Sequence, residues 1–555
     1  MVLSFGGSSM IGVIMIALIR RARRYAKWRV FGPLRPGTTG ARFADMTNVA
    51  TRIESRLPWL LLLLAACSSG SVSTAVEPGP AAEPPAQGDT PDAAGGGGAE
   101  VDGGASTGDR DAAPSTAVCG DGVASGDEAC DTSAPVACSS LAAVWASGTA
   151  TCRSDCSGFD VSGCTRSTQS TEAVFPSKRD ARFASALCND GTPFGFGVSL
   201  APKPTKKWVI YLEGGGHCDG KYTPCAGRGP ELTSSKNMPG DRAPYEVANG
   251  TLLSRDPAIN PDFYDANFAK GNYCSSDLWT GRNATPQPIK IKTATEQWVF
   301  TGRDNARAMI STLFAAYGVD DATSEILWSG NSAGGFGAMI DVDLIATRAP
   351  KAIADQRFAL LVGSAWTSGM WTDPAYTYMG KGDPDAVAYA SLLATYKGEP
   401  NVKCSALAAA TGKPLAACAA GPMAYAAAAS PPPVGFGIRT FVAQNRLDQL
   451  YMKQHMIPVV ELATSAADAA ARATWLSQMT ESMKDLPWLY SPADPQEGAG
   501  DPNLHGLVPD PIVWSYEPPG LTGQSLRAVI GQFWASRSGG PGVRVLYDGA
   551  VPHSP

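Results

Sequence analysis

Histidine is scarce in this sequence: the 555 residues contain four histidines, and no two of them lie close together along the chain. The sequence therefore lacks a His-rich metal site, and it also lacks the Gly-x-Gly-x-x-Gly fingerprint of dinucleotide-binding proteins. For these reasons we expect no cofactor. Basic residues are outnumbered by acidic ones, 45 to 51, and no basic stripe follows the N-terminal export region. Nucleic acid is therefore not an expected partner.

The run of leucines at 60–64 is too short for a comfortable membrane span. It is preceded by two arginines and followed by small residues, which indicates a secretory signal over residues 46–66. Leu64-Ala65-Ala66-Cys67 resembles a bacterial lipobox. We expect Cys67 to become the lipidated first residue of a lipoprotein at the cell envelope, attached to the membrane by its lipid anchor only. Ordinary cleavage near Ala66, which would release a secreted protein, is the alternative.

Residues 1–45 carry a second apolar stretch, Met10 to Ile19, followed by a basic run. Two export signals in tandem make little physical sense. We therefore take Met46 as the start of the protein and residues 1–45 as a doubtful extension. The alternative is that the basic run binds a membrane surface.

Residues 67–117 consist mainly of Gly, Ala, Pro, Ser and Asp. Such a segment cannot bury enough apolar surface to offset the conformational entropy lost on ordering. We expect a disordered, flexible linker.

A cysteine-rich module follows at 118–165. It holds six of the thirteen cysteines: Cys119, Cys130, Cys138, Cys152, Cys156 and Cys164. We predict three disulfides, because so short a stretch of an exported protein cannot sustain a core without cross-links. Metal binding by Cys152-x-x-x-Cys156 is the alternative. The motif around Cys119 resembles the small Cys-rich repeats common on secreted proteins of myxobacteria, and either a spacer or an adhesion role remains open.

Ser329-Gly330-Asn331-Ser332-Ala333-Gly334 contains a Gly-x-Ser-x-Gly motif. The apolar run 326–328 before it predicts a buried strand, and 336–348 predicts a helix. A serine on a sharp strand-to-helix turn exposes its hydroxyl at the carboxyl edge of a sheet, where a base can reach it. A chance match in a loop is the alternative, since the chain has 60 glycines.

A second motif, Glu213-Gly214-Gly215-Gly216-His217, follows the predicted strand Trp208–Leu212. In acyl-transfer enzymes of this architecture such a loop supplies backbone N–H groups to the oxyanion, and the residue after the serine supplies another, here Ala333. A phosphate-binding loop is the alternative, but it would need a helix N-terminus and a nearby lysine.

A serine nucleophile needs a base. His217 precedes the serine, His455 is as well explained as a surface residue, and His553 lies near the chain end, so elimination leaves His505. The acid should fall between serine and base. Asp448 follows the predicted strand 439–443, and Asp485 and Asp501 compete with it on chain order.

Several stretches together resemble the pectinacetylesterase/Notum family of serine carboxylesterases, which have an α/β-hydrolase fold. The resemblance covers roughly residues 180–550. It is carried by Leu187–Pro193, Leu212–Gly216, Asn260–Tyr264, Tyr273–Gly281 and Ser329–Gly335.

The resemblance implies a role for each site residue. Ser332 would be the nucleophile, Asp448, which Gln449 follows as in the family, the acid, and His505 the base. The amides of Gly215, Gly216 and Ala333 would form the oxyanion hole. Gly216 departs from the family, since relatives often have an aromatic residue there.

Residues 171–555 are long enough for one large α/β domain. Their apolar runs alternate with helical patterns, which predicts a mostly parallel sheet covered by helices on both faces. The six cysteines of this region allow two local pairs, Cys218–Cys225 and Cys404–Cys418, which leaves Cys188 with Cys274.

We therefore expect a cell-surface or secreted serine carboxylesterase. The resemblance suggests an acetylated polysaccharide such as pectin as substrate. Removal of longer acyl chains, as in the Notum branch, is one alternative. A non-catalytic glycan-binding surface protein is the other.

Overall fold

The computed structural model describes residues 118–548, apart from gaps at 127, 132–133, 248–249, 370, 383–384, 459–464, 494–504 and 538–540. The predicted signal segment, Cys67 and the linker lie outside the described residues, as do Asp501 and His553. No helix in the described ranges combines the length and the apolar character needed to cross a membrane.

The cysteine-rich module consists of short elements joined by disulfides. The elements are β1 (Val136–Ala137), α1 (Cys138–Leu141), β2 (Trp145–Ser147), β3 (Thr149–Cys152), β4 (Phe159–Asp160) and β5 (Thr165–Arg166). The disulfides join Cys119 to Cys156, Cys130 to Cys152 and Cys138 to Cys164. The prediction of three disulfides is confirmed. The metal alternative is wrong, because Cys152 and Cys156 each have their sulfur in a disulfide.

The module shares its hydrophobic core with the large domain. Val144, Trp145 and Ala150 are buried in the same cluster of side chains as the main sheet. The Trp145 indole Nε1 donates to the carbonyl oxygen of Ala316 at 2.9 Å. The module therefore packs on the large domain as one body with it.

The large domain supplies the remaining strands. In chain order they are β6 (Thr171–Val174), β7 (Phe196–Ser199), β8 (Lys207–Leu212), β9 (Asn267–Gly271), β10 (Asn283–Ile291), β11 (Ala294–Phe300), β12 (Glu325–Asn331), β13 (Phe358–Gly363), β14 (Arg439–Ala443), β15 (Leu489–Pro492) and β16 (Arg544–Tyr547). β10 and β11 form a separate hairpin, and the others form a nine-stranded sheet in the order β16-β15-β14-β13-β12-β8-β9-β7-β6. Pairing is parallel from β9 to β16, and β7 pairs antiparallel with both β9 and β6. The mostly parallel sheet is confirmed.

Helices and turns connect these strands. They are α2 (Pro176–Arg179), α3 (Gly302–Ala316), α4 (Ala333–Ile340), α5 (Val342–Ala346), α6 (Pro350–Ala354), α7 (Asp385–Tyr396), α8 (Val402–Ala410), α9 (Gly421–Ala429), α10 (Gln449–Gln454), α11 (Ala466–Ser482), α12 (Pro511–Ser515) and α13 (Leu526–Ala535). Along β12 alternate side chains enter two cores: Ile326 and Trp328 pack on one face of the sheet, and Leu327 packs on the other. Burial on both faces explains why the central strands are apolar at nearly every position.

The helix after Ser332 differs from the prediction. It begins at Ala333, immediately after the serine, and it is interrupted at Asp341, where α5 takes over. The Asp341 carboxylate binds the buried Arg303 guanidinium, with Oδ1 and Nη1 2.7 Å apart. The break coincides with this ion pair, which joins residues 38 positions apart and therefore leaves no local pattern in the sequence.

The predicted cysteine pairs of the large domain are also confirmed. Disulfides join Cys188 to Cys274, Cys218 to Cys225 and Cys404 to Cys418. Six disulfides in the described residues are typical of a protein exported to an oxidising compartment.

Candidate active site

Ser332 occupies a strained turn at the carboxyl end of β12. Its φ is 57° and its ψ −126°, and it serves as the N-cap position of α4. For a residue other than glycine, such a backbone conformation raises the free energy of the folded state by about 1–3 kcal/mol. Contacts with the surrounding structure must offset this cost. The turn is tight: a Cβ on Gly334 would lie 2.0 Å from the carbonyl oxygen of Leu212. The glycine of the motif is therefore required by close backbone approach.

The structure brings Ser332, His505 and Asp448 together. The His505 Nε2 lies 2.7 Å from the Ser332 Oγ, and the His505 Nδ1 lies 2.7 Å from the Asp448 Oδ2. The Asp448 side chain is fully buried, and that of His505 is 13% exposed. Asp485, the competing acid, is exposed on the surface. This chain of hydrogen bonds can pass a proton from a serine hydroxyl to an imidazole and stabilise the resulting imidazolium.

Asp448 is held from three directions. It is the N-cap of α10, and its Oδ1 accepts from the amides of Leu450 at 3.0 Å and Tyr451 at 3.4 Å. Its Oδ2 accepts from the Gln444 Nε2 at 3.1 Å as well as from His505. Gln444 lies just after β14 and was missed by sequence reasoning, because a buried glutamine at a strand end carries no distinctive pattern.

The glycine loop after β8 lies beside the serine. Gly215 and Gly216 have φ values of +151° and +66°, which residues other than glycine rarely adopt. The Gly215 carbonyl oxygen accepts from the Arg228 Nη1 at 2.8 Å, and that of Gly216 accepts from the Tyr273 hydroxyl at 2.8 Å. Within the described residues, the amides of Gly216 and Ala333 donate no hydrogen bond. Both residues line one small cavity with the Ser332 side chain.

A family model described as pectinacetylesterase matches residues 169–373. The inactive palmitoleoyl-protein carboxylesterase notum1b of Danio rerio is 38% identical over 107 residues, which cover 19% of this chain and 70% of that protein. This chain belongs to the pectinacetylesterase/Notum family. The chain spans about 30% of the length of the curated palmitoleoyl-protein carboxylesterases that it matches.

Two further relatives bear on how far the likeness to this family extends. The palmitoleoyl-protein carboxylesterase notum1a of Danio rerio is 35% identical over 162 residues, 29% of this chain and 30% of that protein's length. A crystal structure of the Drosophila Wnt deacylase Notum shares 22% identity, covers 66% of this chain and 94% of its own, and has a TM-score of 0.51. That likeness shows a Notum-type α/β-hydrolase fold. The family model includes Ser332 and ends before Asp448 and His505.

The family stretch Tyr273–Gly281 supports the glycine loop from behind. The Tyr273 hydroxyl donates to the Gly216 carbonyl oxygen, as described above. In addition, the Trp279 indole donates to the Glu213 carbonyl oxygen at 3.0 Å. The carboxylate of Asp277 accepts from the amides of Gly302 at 2.7 Å and Trp279 at 3.1 Å. Burial raises the pKa of Asp277 to about 6. These residues were found by resemblance, and their role as a brace for the loop is visible in the structure alone.

Two cavities meet at the serine of this Notum-family site. One, of about 20 Å³, is narrow and is lined by aromatic and aliphatic side chains that include Phe336, Tyr378 and Tyr389. The other, of about 470 Å³, is an open cleft whose lining includes Glu213 and Lys270. Gly216, Ser332, Leu450 and His505 line both.

Two other histidines lie near the site. His217 is buried in the wall of the small cavity, with its Nε2 3.2 Å from the Tyr378 hydroxyl and 3.3 Å from the Thr223 Oγ1. Burial, and then the charge of Arg228, lowers the pKa of His217 to about 4. The expectation that His455 is a surface residue is wrong. It ends α10 with its side chain buried against Trp371, Tyr378 and Trp475, because the helix packs its last turn into the aromatic core.

Over the described ranges, one cluster of metal-binding groups occurs: Cys119, Asp131 and Cys156. The two cysteines are joined in a disulfide, and the Asp131 carboxylate accepts from the amide of Gly120. This donor set does not suit a metal ion, because its sulfurs are not free thiolates.

Proposed function

We propose that this protein is an exported serine carboxylesterase that removes short acyl groups, chiefly acetyl, from a polysaccharide such as pectin. The observation that carries the proposal is the pair of 2.7 Å contacts linking Ser332 to His505 and His505 to Asp448. These residues lie beside the Gly215–Gly216 loop, and the Gly216 amide donates no hydrogen bond among the described residues. Family membership supports the same class of reaction.

The proposed reaction follows from the geometry. His505 accepts the proton of the Ser332 hydroxyl while the oxygen attacks the ester carbonyl. Asp448 holds the imidazole tautomer and stabilises the imidazolium. The amides of Gly215, Gly216 and Ala333 stabilise the oxyanion, at about 3–4 kcal/mol per donor. His505 then protonates the departing alcohol, and a water activated by the same imidazole hydrolyses the acyl-enzyme.

The small cavity favours acetyl as the acyl group. Its volume of about 20 Å³ has room for a methyl group. An octanoyl chain would have to displace buried tyrosines, and a well-packed interior resists that movement. The observation favours the acetylesterase over the Notum-like deacylase alternative.

Export and anchoring complete the proposal. Six disulfides support an oxidising compartment outside the cytoplasm. Lipidation of Cys67 would attach the protein to the cell envelope through the linker. Incorporation of labelled palmitate by the parent chain and its loss in Cys67→Ser would support the anchor, and equal labelling of both would contradict it.

The esterase proposal is tested by hydrolysis of p-nitrophenyl acetate and p-nitrophenyl octanoate by the full chain and by Ser332→Ala. We expect rapid acetate release by the parent, slow octanoate hydrolysis, and loss of both in Ser332→Ala. Ser430→Ala provides a control serine that lies outside both cavities at Ser332. A folded parent that hydrolyses neither ester but binds acetylated pectin would favour the non-catalytic glycan-binding alternative.

A further inference from the structure

We propose that Arg228 is a positioning residue of the oxyanion site, whose guanidinium orients the Gly215–Gly216 peptide and polarises it toward the developing negative charge. The inference rests on the proposed esterase function. It assigns a role to a residue that carries no motif and touches neither of the two cavities at the serine.

The contacts of Arg228 are unusual for an arginine inside a protein. Its Nη1 donates to the Gly215 carbonyl oxygen at 2.8 Å. Its Nε and Nη2 are buried and have no hydrogen-bond partner among the described residues. Across the same residues no carboxylate lies within ion-pair distance of it, and the guanidinium packs over the Tyr273 ring at 5.9 Å from the centroid. Two of its three nitrogens therefore lack the hydrogen-bond partners that buried polar atoms usually have.

The position of the Arg228 charge relative to the Gly215–Gly216 peptide suggests a role in catalysis. In a trans peptide the C=O and the N–H point in opposite directions. Holding the Gly215 oxygen therefore fixes the direction of the Gly216 N–H, which donates no hydrogen bond in the described part of the chain. The Arg228 Nη1 lies 3.9 Å from the place where a Cβ on Gly216 would stand. The charge therefore lies on the carbonyl side of this peptide, opposite to the direction in which the Gly216 N–H points.

Tyr273 supports the next peptide in the same way. Its hydroxyl donates to the Gly216 carbonyl oxygen at 2.8 Å and accepts from the Leu278 amide at 2.7 Å. Burial, and then the Asp277 carboxylate, raises the pKa of Tyr273, so the hydroxyl remains a donor. Two successive carbonyls of the loop therefore have fixed partners, one of them cationic.

A charge behind the peptide acts on the transition state more than on the bound ester. The ester carbonyl is neutral, whereas the tetrahedral intermediate carries a full negative charge on oxygen. An interaction that strengthens only as this charge develops raises kcat and leaves KM unchanged. A merely structural tie of the loop would instead lower stability, and an anchor for an anionic substrate would change KM.

The test compares the full-length parent with Arg228→Met and Arg228→Lys on p-nitrophenyl acetate. We expect Arg228→Met to lose about ten- to a hundred-fold in kcat, with KM within about two-fold. Arg228→Lys, which keeps a cation, should recover part of the loss. Arg282→Met, which removes an arginine bound to Glu399 on the surface, serves as the matched control and should retain full activity.

Binding of a trifluoromethyl ketone, which forms a tetrahedral adduct with the serine, gives a second readout. Its inhibition constant should rise in Arg228→Met by the same factor by which kcat/KM falls. Should Arg228→Met not fold, Arg228→Gln takes its place in both measurements. An unchanged kcat, a change confined to KM, or a kcat loss that Arg228→Lys does not relieve would each overturn the proposal. If the parent is active, such a result overturns only the role of Arg228. If the parent is inactive, both this role and the esterase function are overturned.

Discussion

The two cavities that meet at Ser332 differ in size and in chemistry. The narrow one has a volume of about 20 Å³ and is lined by Phe336, Tyr378 and Tyr389. The open one holds about 470 Å³, with the charged pair Glu213 and Lys270 in its lining. An ester has an acyl end and an alcohol end, and the attacking oxygen must reach the carbonyl between them. One side can therefore discriminate by volume while the other discriminates by charge.

This difference suggests a division of labour within the proposed reaction. On the narrow side each added methylene must displace packed side chains, which disfavours long acyl groups. On the open side a large alcohol such as a polysaccharide can lie across the surface without rearrangement. We expect the protein to be strict about the acyl group and tolerant of the alcohol.

The largest expected effect comes from Asp448, the buried partner of the histidine that lines both cavities. Asp448→Asn should lower kcat by about 10⁴-fold on every ester, because an amide cannot hold the required His505 tautomer. Asparagine is as good an N-cap as aspartate, so α10 should persist and the melting temperature should change little. Steady-state kinetics with two acyl lengths check the prediction. If kcat fell for only one of the two acyl lengths, Asp448 would not act on the chemical step that both esters share.

Replacing His217, which lines the narrow cavity, should change how the stability of the protein depends on pH. The pKa of His217 is about 4 in the folded protein and about 6.5 when unfolded. Between these values the unfolded chain binds a proton that the folded one does not, so the free energy of unfolding falls by about 3 kcal/mol as pH drops from 6.5 to 4. His217→Gln should lack this contribution.

The measurement is the difference in unfolding free energy between parent and His217→Gln, from urea unfolding at pH 7.5 and pH 4. Asp277, whose raised pKa makes stability fall as pH rises between about 4 and 6, is present in both proteins and cancels in the difference. Parallel stability curves for the two proteins would show that His217 titrates normally in the fold.

The narrow cavity should widen when one of its lining tyrosines is removed. Tyr389→Ala should raise the ratio of octanoate to acetate kcat/KM by about ten-fold or more, at a cost of about 3–5 kcal/mol in stability. Tyr389→Phe keeps the ring and serves as the matched control. Equal ratios in the alanine and phenylalanine variants would mean that this side chain does not limit the acyl length.

The smallest expected effect lies on the open side. Lys270 pairs with Glu213, with the Nζ 3.1 Å from the Oε1. Lys270→Met should raise KM for an acetylated polyanion by about three-fold at low salt, and leave p-nitrophenyl acetate hydrolysis unchanged. Lys236→Met, which removes an exposed lysine bound to Asp190, is the control. If added salt leaves the difference unchanged, the effect is not electrostatic.

The sequence was informative where chemistry is encoded locally. A strand, a Gly-x-Ser-x-Gly turn and a helix follow one another within one short stretch, so Ser332 could be placed without tertiary information. The pairs Cys218–Cys225 and Cys404–Cys418 are separated by 7 and 14 residues, and the third pair followed by subtraction. The order of serine, acid and base left several aspartates open until resemblance favoured Asp448.

The remaining features depend on distant contacts. The hydroxyl of Tyr273 reaches Gly216 across 57 residues, and the Tyr378 hydroxyl reaches His217 across 161. Tyr389, which lines the narrow cavity, is brought there by α7, whose sequence carries no signal for the site. His455 could not be assigned to the core, because a six-residue helix is too short for its apolar face to show as a period.

The packing of the Cys-rich module has an evolutionary consequence. Trp145 covers apolar surface of α3 that would otherwise face water, and its indole occupies the carbonyl of Ala316. Once such a module has been acquired, its deletion exposes that apolar surface to water, which is unfavourable. We therefore expect lineages to retain the module even if it recognises no ligand, because losing it would require compensating substitutions on the enzyme at the same time.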